Sequence, residues 1–303
     1  PWSPERTAEV TRIPAATLRG IVRAYREADG AALYCSTGVN MGGNGSLAFW
    51  LQEVINAVSG NLDRAGGTLV GQGIFDFARF GVRHGVMTKR HPSRLGGFTS
   101  VNDGFPGGML ADEITTPGPR QVRALFVTGG NPLITMPNAG RLRDALRELE
   151  LLVCVDVFLN ETASLANYVL PATAPLQRPD LPFVFPLFLG MQARPYVQAT
   201  QAVVPPEGEQ RDEATIYLQL ARACGVGLFG SQVAQRAMEI GGRVHRWVHP
   251  ERGDGVPQEW ILSALLRLGG EGSFGRLLAE RHGRLRASHA GGDFLGARCV
   301  TGD

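Results

Sequence analysis

The chain has 303 residues, of which 44% are apolar, so it is long enough and apolar enough to bury the core of a globular protein. Its 30 basic and 28 acidic residues give a formal net charge of +2, which argues against nucleic acid and against an anionic membrane surface as partners. No apolar run approaches the roughly 20 residues of a transmembrane helix, and the wide spacing of the four cysteines excludes a zinc ribbon or an iron–sulfur run within this chain.

Two helices are predicted first, followed by a strand and a glycine-rich loop. Ser3 can cap a helix that has Pro4 at its first position, and a second amphipathic helix follows. The short apolar run Ala31 to Cys35 predicts a strand, and Ser36 to Gly45 is a polar loop that leads into a helix at Ser46. A strand, a glycine loop and a helix in this order are typical of sites where backbone N–H groups meet an anion.

Residues 61 to 120 are irregular, and so long a connection in a compact domain is usually functional or contacts another part of the protein. A basic stretch lies within it. It either forms a solvated loop or lines a site for an anionic substrate or a cofactor phosphate. Its members are His84, Lys89, Arg90, His91 and Arg94.

The region that follows alternates strands with an amphipathic helix. Strands are predicted at Arg123 to Val127, at Leu151 to Val155 before Asp156, and at Tyr168 to Pro171, with a helix from about Ala139 to Glu150. This alternation predicts an α/β fold with a doubly wound, mostly parallel sheet. Ligands of such sheets bind at the carboxyl ends of the strands.

After Pro171 the pattern changes to a mainly helical C-terminal region. Residues 172 to 210 are extended and proline-rich, and helices are predicted near Asp212 to Ala223, Gln232 to Val248 and Gln258 to Leu268. We therefore predict two domains, an α/β domain over residues 1–180 and an extended and helical region over residues 181–303.

Three loops fall at the carboxyl ends of predicted strands, namely Thr37 to Asn44, Gly129 to Pro132 and Asp156 to Thr162, and we expect them to converge on one crevice. The middle loop offers bare backbone that a phosphate or ribose can approach. The Asp156 carboxylate can accept the ring N–H and amino group of guanine together, or a pair of ribose hydroxyls. The alternative is a tight turn followed by an aspartate that caps a helix.

Several motifs in correct succession, covering about residues 1 to 225, resemble the large catalytic subunits of the molybdopterin oxidoreductases, the dimethyl sulfoxide reductase family. Three motifs surround the predicted strands. They are the run Ala124 to Asn138 (ALFVTGGNPLITMPN), the run Val155 to Ala163 (VDVFLNETA) and the run Ala166 to Ala172 (ANYVLPA). Further matches are Trp2 to Glu5, Ile13-Pro14, Ser36 to Asn40, Ser59 to Gly67 and Asp212 to Tyr217.

The resemblance implies a cofactor in which molybdenum, or tungsten, is held by two pterins that each carry a guanine dinucleotide. The stretch Thr37 to Met41 matches the loop near the metal–pterin end, and Asn131 matches a contact to the nucleotide. Val155 and Asp156 match the pair that addresses guanine, and Arg178 falls where some members place a basic residue near a phosphate or pterin. The candidate cofactor-binding residues are Thr37, Gly38, Asn40, Met41, Gly129, Gly130, Asn131, Pro132, Val155, Asp156, Thr162 and Arg178.

The resemblance further implies that the chain is the middle part of a larger subunit that is inactive without the rest. Family members place a cluster-binding cysteine group and the protein ligand of the metal upstream, and a pterin-binding domain downstream. We therefore expect a [4Fe–4S] cluster in the full-length protein but not in this chain, where no catalytic residue can be named. We predict no metal ligand here either, because no carboxylate or cysteine completes a set with His245 and His249.

The implied activity is two-electron oxidation or reduction of a small-molecule substrate, as in formate dehydrogenases and nitrate reductases. An electron-transfer subunit is a candidate partner, and we expect a cytoplasmic location. One alternative is a truncated, inactive module that binds a nucleotide or a partner. The other is a nicotinamide-dependent Rossmann dehydrogenase, for which the glycines between Gly38 and Gly45 have unsuitable spacing.

Overall fold

The computed structural model describes residues 2–71, 73–76, 80, 81, 83, 90–101, 104–182, 190, 192, 194–248, 255–289, 291 and 292. The chain divides into two compact units. Unit 1 comprises residues 1–72, 190–195 and 286–303, and unit 2 comprises residues 73–189 and 196–285. The predicted boundary at residue 180 falls within unit 2, and the predicted domain division stays a prediction.

Helices dominate the described parts of both units. Unit 1 contains α1 (Pro4–Thr11), α2 (Ala15–Glu27), α3 (Thr37–Asn40) and α4 (Gly45–Val58). Unit 2 contains α5 (Leu110–Thr115), α6 (Pro132–Thr135), α7 (Ala139–Arg147), α8 (Glu213–Ala223), α9 (Gln232–Val248), α10 (Gln258–Leu268) and α11 (Phe274–Leu278). Within the described ranges, no helix combines the length and the apolar character that crossing a bilayer requires.

A three-stranded parallel sheet lies at the centre of unit 2. Its strands are β1 (Ala124–Thr128), β2 (Leu151–Asp156) and β3 (Tyr168–Pro171), in the order β1-β2-β3. Strand β2 reads as an unbroken apolar run because it lies between two neighbours and is buried from Leu152 to Val155. The predicted α/β class with a parallel sheet is confirmed.

Three apolar clusters of buried residues lie in the described part of unit 2, and the two larger ones hold most of its elements in place. The first packs the inner face of α7 against β1 and β2, and its members include Leu142, Leu146, Leu152 and Cys154. The second lies between α10, α11 and a short antiparallel ribbon of β4 (Tyr196–Val197) and β5 (Arg284–Leu285). Leu266 and Phe274 are at its centre. The first cluster therefore fixes the position of the sheet whose strand ends carry the candidate site.

The strand predicted at Ala31 to Cys35 is wrong. This segment forms no ladder with any described residue, and side-chain amides accept from its backbone instead. The Ala31 N–H donates to Asn61 Oδ1 at 3.1 Å, and the Leu33 N–H donates to Asn56 Oδ1 at 3.3 Å. Asparagine side chains thus take the place of a neighbouring strand in satisfying these backbone donors.

Helix α4 of unit 1 is buried on its polar side. Gln52 and Asn56 are 7% and 0% exposed, and Asn56 Oδ1 also accepts from the Tyr25 hydroxyl at 2.6 Å. The apolar side chains Trp50 and Val58 are 59% and 80% exposed. Unit 1 has no fully buried large apolar side chain among its described residues, so buried hydrogen bonds rather than an apolar core connect its segments.

Helix α9 of unit 2 has the same inverted arrangement. Gln235 and His245 face inward, where His245 meets Trp260 edge to face with ring centroids 5.5 Å apart. The exposed apolar residues of this helix are separated by seven, four, three and one positions along the chain. They are Val233, Ile240, Val244, Trp247 and Val248.

Candidate functional site

The exit of β1 leaves a stretch of open backbone. Gly129 has φ 56°, a left-handed conformation that favours glycine, and a Cβ there would meet no atom within 4 Å. Its N–H donates to Val155 O at 2.9 Å, which ties the exit of β1 to the end of β2. Thr128, one residue earlier, hydrogen-bonds through its hydroxyl to the Tyr217 hydroxyl on α8. A planar or anionic group can therefore approach the Gly129 backbone closely.

Asn131 is held in one orientation by the loop after β2. Thr162 is fully buried, and its hydroxyl oxygen accepts from the Leu133 N–H at 3.2 Å while lying 2.7 Å from Asn131 Oδ1. Because a hydroxyl has one proton, Thr162 donates it to Asn131 Oδ1. The Asn131 Nδ2 donates to Glu161 Oε2 at 2.6 Å, so the amide still has one N–H directed at neither partner.

Glu161 is an exposed carboxylate at the same exit. Hydrogen bonds from its own backbone N–H and, to a smaller extent, from the Asn131 amide hold the pKa of Glu161 below its usual range. The side chain is therefore ionised at neutral pH and acts only as an acceptor, which fixes Nδ2 as the Asn131 atom that faces it.

Asp156 ends β2 and is held through both carboxylate oxygens. Oδ1 accepts from the Phe158 N–H at 3.0 Å, and Oδ2 accepts from Asn160 Nδ2 at 3.0 Å. The Ala172 N–H donates to the Asp156 backbone oxygen at 3.1 Å, which connects the end of β3 to the same point. Each carboxylate oxygen has two lone pairs, so both retain an acceptor site for a ligand.

The loops after β1 and β2 therefore meet, as predicted. They present the Asp156 carboxylate with two unused acceptor sites, the exposed Glu161 carboxylate, one amide N–H and open glycine backbone. This set matches the edge of a base that offers two adjacent donors, together with a nearby oxygen-rich group. Val155 and Pro132 are buried beneath it and offer no exposed side chain to a ligand.

Arg178 lies apart from these loops, in the wall of a cavity of about 640 Å³ that opens beside the end of β3. Its guanidinium forms a 3.0 Å ion pair with Glu213 and donates to Thr173 O at 3.0 Å. The cavity is also lined by Gln177, Arg211 and His245. The Arg178 charge is thus largely balanced inside the protein, and its predicted contact with a cofactor stays a prediction.

The stretch Thr37 to Met41 belongs to unit 1. Thr37–Asn40 forms the short helix α3, whereas a polar loop was predicted, because the Met41 N–H donates back to Thr37 O at 3.0 Å. All of these side chains are exposed, and Met41 is 80% exposed. Their convergence with the loops of unit 2 stays a prediction.

Other candidates have structural roles where they are described. Arg94 forms a largely buried ion pair with Glu113 at 2.9 Å and donates to Thr116 O, so this arginine holds α5 rather than facing a ligand. His249, His84 and Lys89 lie outside the described residues. In the part of the chain that is described, no group of three or more His, Cys, Asp or Glu could hold a metal ion.

Cys154 on β2 is buried among the side chains of the first apolar cluster. Burial raises the pKa of its thiol, and the neighbouring Asp156 charge adds to this shift. The thiol is therefore neutral at ordinary pH, and neutral buried thiols are unreactive.

Asn160 and Glu161 are the site residues that sequence reasoning missed. Both lie within the VDVFLNETA run that carries the family resemblance, four and five residues after the candidate Asp156. Their polar character at the end of an apolar strand was the available signal. Their partners, however, depend on how the chain folds back after Asp156, which the spacing alone does not determine.

Replacing Thr162 with Val should lower the free energy of unfolding by about 1–3 kcal/mol, because the buried Leu133 N–H and Asn131 Oδ1 both lose their partner. Thr173→Val is the matched control, since it removes a hydroxyl that is 2% exposed and has no partner among the described residues. Urea unfolding of both variants checks this expectation. Equal costs would show that the Thr162 bridge contributes nothing to stability.

The chain is similar to known oxidoreductases over most of its length. A family model described as "Molybdopterin oxidoreductase" matches residues 16–223. Probable oxidoreductase YyaE of Bacillus subtilis is 27% identical over 200 residues, covering 66% of this chain and 27% of that protein. The F420-dependent formate dehydrogenase subunit alpha of Methanocaldococcus jannaschii is 24% identical over 242 residues, covering 75% of this chain and 34% of that protein.

A solved structure shares the fold. Acetylene hydratase from Pelobacter acetylenicus superimposes with a TM-score of 0.63 at 18% sequence identity, covering 95% of this chain and 39% of that one. The chain thus spans about a third of the length of the relatives it matches, with 27% of YyaE and 34% of the formate dehydrogenase subunit covered.

Proposed function

Because the chain belongs to the molybdopterin oxidoreductase family, we propose that its strand-end site binds the guanine dinucleotide of a bis-molybdopterin cofactor. The observation that carries the proposal is the pair of unused acceptor sites on Asp156, which is held by Phe158 and Asn160 beside the open Gly129 backbone. Guanine presents a ring N–H and an amino group side by side, which fits such a carboxylate.

The residues of the site have separate tasks in this proposal. Asp156 accepts from the base, Asn131 donates its remaining amide N–H to a ribose or phosphate oxygen, and Gly129 leaves room for the ligand to lie against the backbone. Thr162 and Glu161 orient Asn131. When bound, the cofactor supplies a metal that changes oxidation state by two electrons, and this part of the protein holds and orients it.

The wider activity follows from the same family membership. We propose that the full-length protein carries out two-electron oxidation or reduction of a small substrate, with a [4Fe–4S] cluster outside this chain. The relative from Methanocaldococcus jannaschii is named as a subunit alpha, which supports an electron-transfer subunit as a partner. The expected cytoplasmic location stays a prediction.

Replacing Asp156 with Ala in the full-length protein tests the guanine role. We expect the guanine content to fall by about tenfold or more, because two hydrogen bonds to a charged acceptor are lost. The measurement is the GMP released by acid from purified protein, together with molybdenum content by mass spectrometry. Asp144→Ala, which removes an exposed carboxylate on α7, is the control. Unchanged guanine in the Asp156 variant would disprove the guanine role.

A further inference from the structure

Asn160 uses every polar atom of its side chain to join three segments. Its Oδ1 accepts from the Ala163 N–H at 2.9 Å. Its Nδ2 donates to Asp156 Oδ2 at 3.0 Å and points toward Gly130 O at 3.5 Å. A backbone N–H can only donate, so the first bond fixes the oxygen side of the amide, and the Nδ2 side must face Asp156.

Asp156 would otherwise be free to rotate. Apart from Asn160, the Asp156 side chain is held, among the described residues, only by the backbone N–H of Phe158, two residues ahead. This is a local bond of the kind that aspartates commonly form in turns. A single bond to Oδ1 leaves the plane of the carboxylate undetermined, whereas a second bond to Oδ2 fixes it. That plane decides whether the two unused acceptor sites can meet two adjacent donors of a base.

We infer that Asn160 is a positioning residue that sets the base specificity of the site by fixing the plane of the Asp156 carboxylate. This inference rests on the proposed guanine site. It goes beyond that site because it makes the preference for guanine depend on a side chain that need not touch the ligand. The contact to Gly130 O also connects the carboxylate to the glycine exit of β1. Asn160 therefore holds both the Asp156 carboxylate and the loop after β1.

The readout that isolates this role is the preference for GMP over IMP, which lacks the exocyclic amino group. A fixed carboxylate that accepts both donors of guanine should prefer GMP by about tenfold, the worth of one hydrogen bond to a charged group. Loss of a residue with a merely structural role would weaken the binding of GMP and IMP alike and leave the ratio of their affinities unchanged. Binding of each nucleotide is measured by isothermal titration of full-length protein prepared without cofactor.

The test variant is Asn160→Asp, which keeps the acceptor for the Ala163 N–H but removes both donors and sets a second carboxylate against Asp156. We expect the GMP to IMP ratio to fall toward one. Asn160→Ser is the second variant. It adds no charge and can still accept at the Ala163 N–H, but it is too short to reach Asp156, and the same loss is expected. Each variant must keep the unfolding midpoint of the control.

Asn167→Asp is the matched control. Asn167 immediately precedes β3 and lies beside the start of β2, where its Oδ1 accepts from the Leu152 N–H, so the same change of charge occurs at the end of the sheet away from the site. A ratio that stays near tenfold in both Asn160 variants, while Asp156→Ala abolishes it, would overturn the inference and leave the guanine site standing. A ratio near one in the unaltered protein would overturn both.

Discussion

Replacing Leu266 with Ala is expected to lower the free energy of unfolding by about 2–5 kcal/mol. Leu266 lies on α10 with 0% of its surface exposed, at the centre of the second apolar cluster beside Phe274 and Leu277. Truncation removes three carbons from a packed interior and leaves a cavity that neighbouring side chains fill only in part. Urea unfolding followed by circular dichroism measures the change.

Leu268→Ala is the control for this prediction. Leu268 lies two residues further along the same helix but is 72% exposed, so the substitution has the same chemistry and the same helix propensity without the burial. We expect a change within about 0.5 kcal/mol. If both variants unfold alike, the packing of α10 and α11 against the ribbon of β4 and β5 is not as described.

Replacing Gly45 with Ala should destabilise unit 1, although helix propensity alone would favour alanine by up to about 1 kcal/mol. Gly45 is the first residue of α4, and a Cβ there would lie 2.6 Å from the backbone carbonyl carbon of Asn40. Backbone cannot yield as a side chain can, so α3 must move away from α4. We expect a cost of about 1–3 kcal/mol, as for other overpacked sites.

Hydrogen exchange at the Met41 amide provides the local readout, because this N–H donates to Thr37 O within α3. We expect faster exchange at Met41 in the Gly45 variant. Gly43→Ala is the control in the same loop, since a Cβ at Gly43 would meet no atom within 4 Å. Stabilisation by Gly45→Ala would mean that propensity outweighs the clash, and that α3 and α4 are not in close contact.

The sheet and most helices could be predicted because their signals are local. The unbroken apolar run of β2 and its end at Asp156 are visible without knowing any neighbour. Ser3 before Pro4 identified the start of α1, and its hydroxyl does accept from the Arg6 N–H. Asp212 likewise caps α8 by accepting from the Thr215 N–H.

The predictions that failed concern the tertiary partners of a segment rather than its local sequence character. The run Ala31 to Cys35 has strand composition, but the side chains of Asn56 and Asn61 satisfy its N–H groups instead of a neighbouring strand. In the candidate site, Asp156 and Asn131 stand out in the sequence as polar residues at strand ends. Asn160 gains its role only through the rotamer of Asp156, which depends on the path of the chain between them.

The outward apolar residues of α4 and α9 favour self-association of this stretch of polypeptide in concentrated solution. Trp50 and Val58 on one helix, and Trp247 and Val233 on the other, are exposed apolar side chains. The net charge of +2 gives little electrostatic repulsion between molecules that meet through them. We expect replacement of their outer residues with glutamate or lysine to raise the solubility of the chain, whereas the polar residues on their inner faces must be left intact.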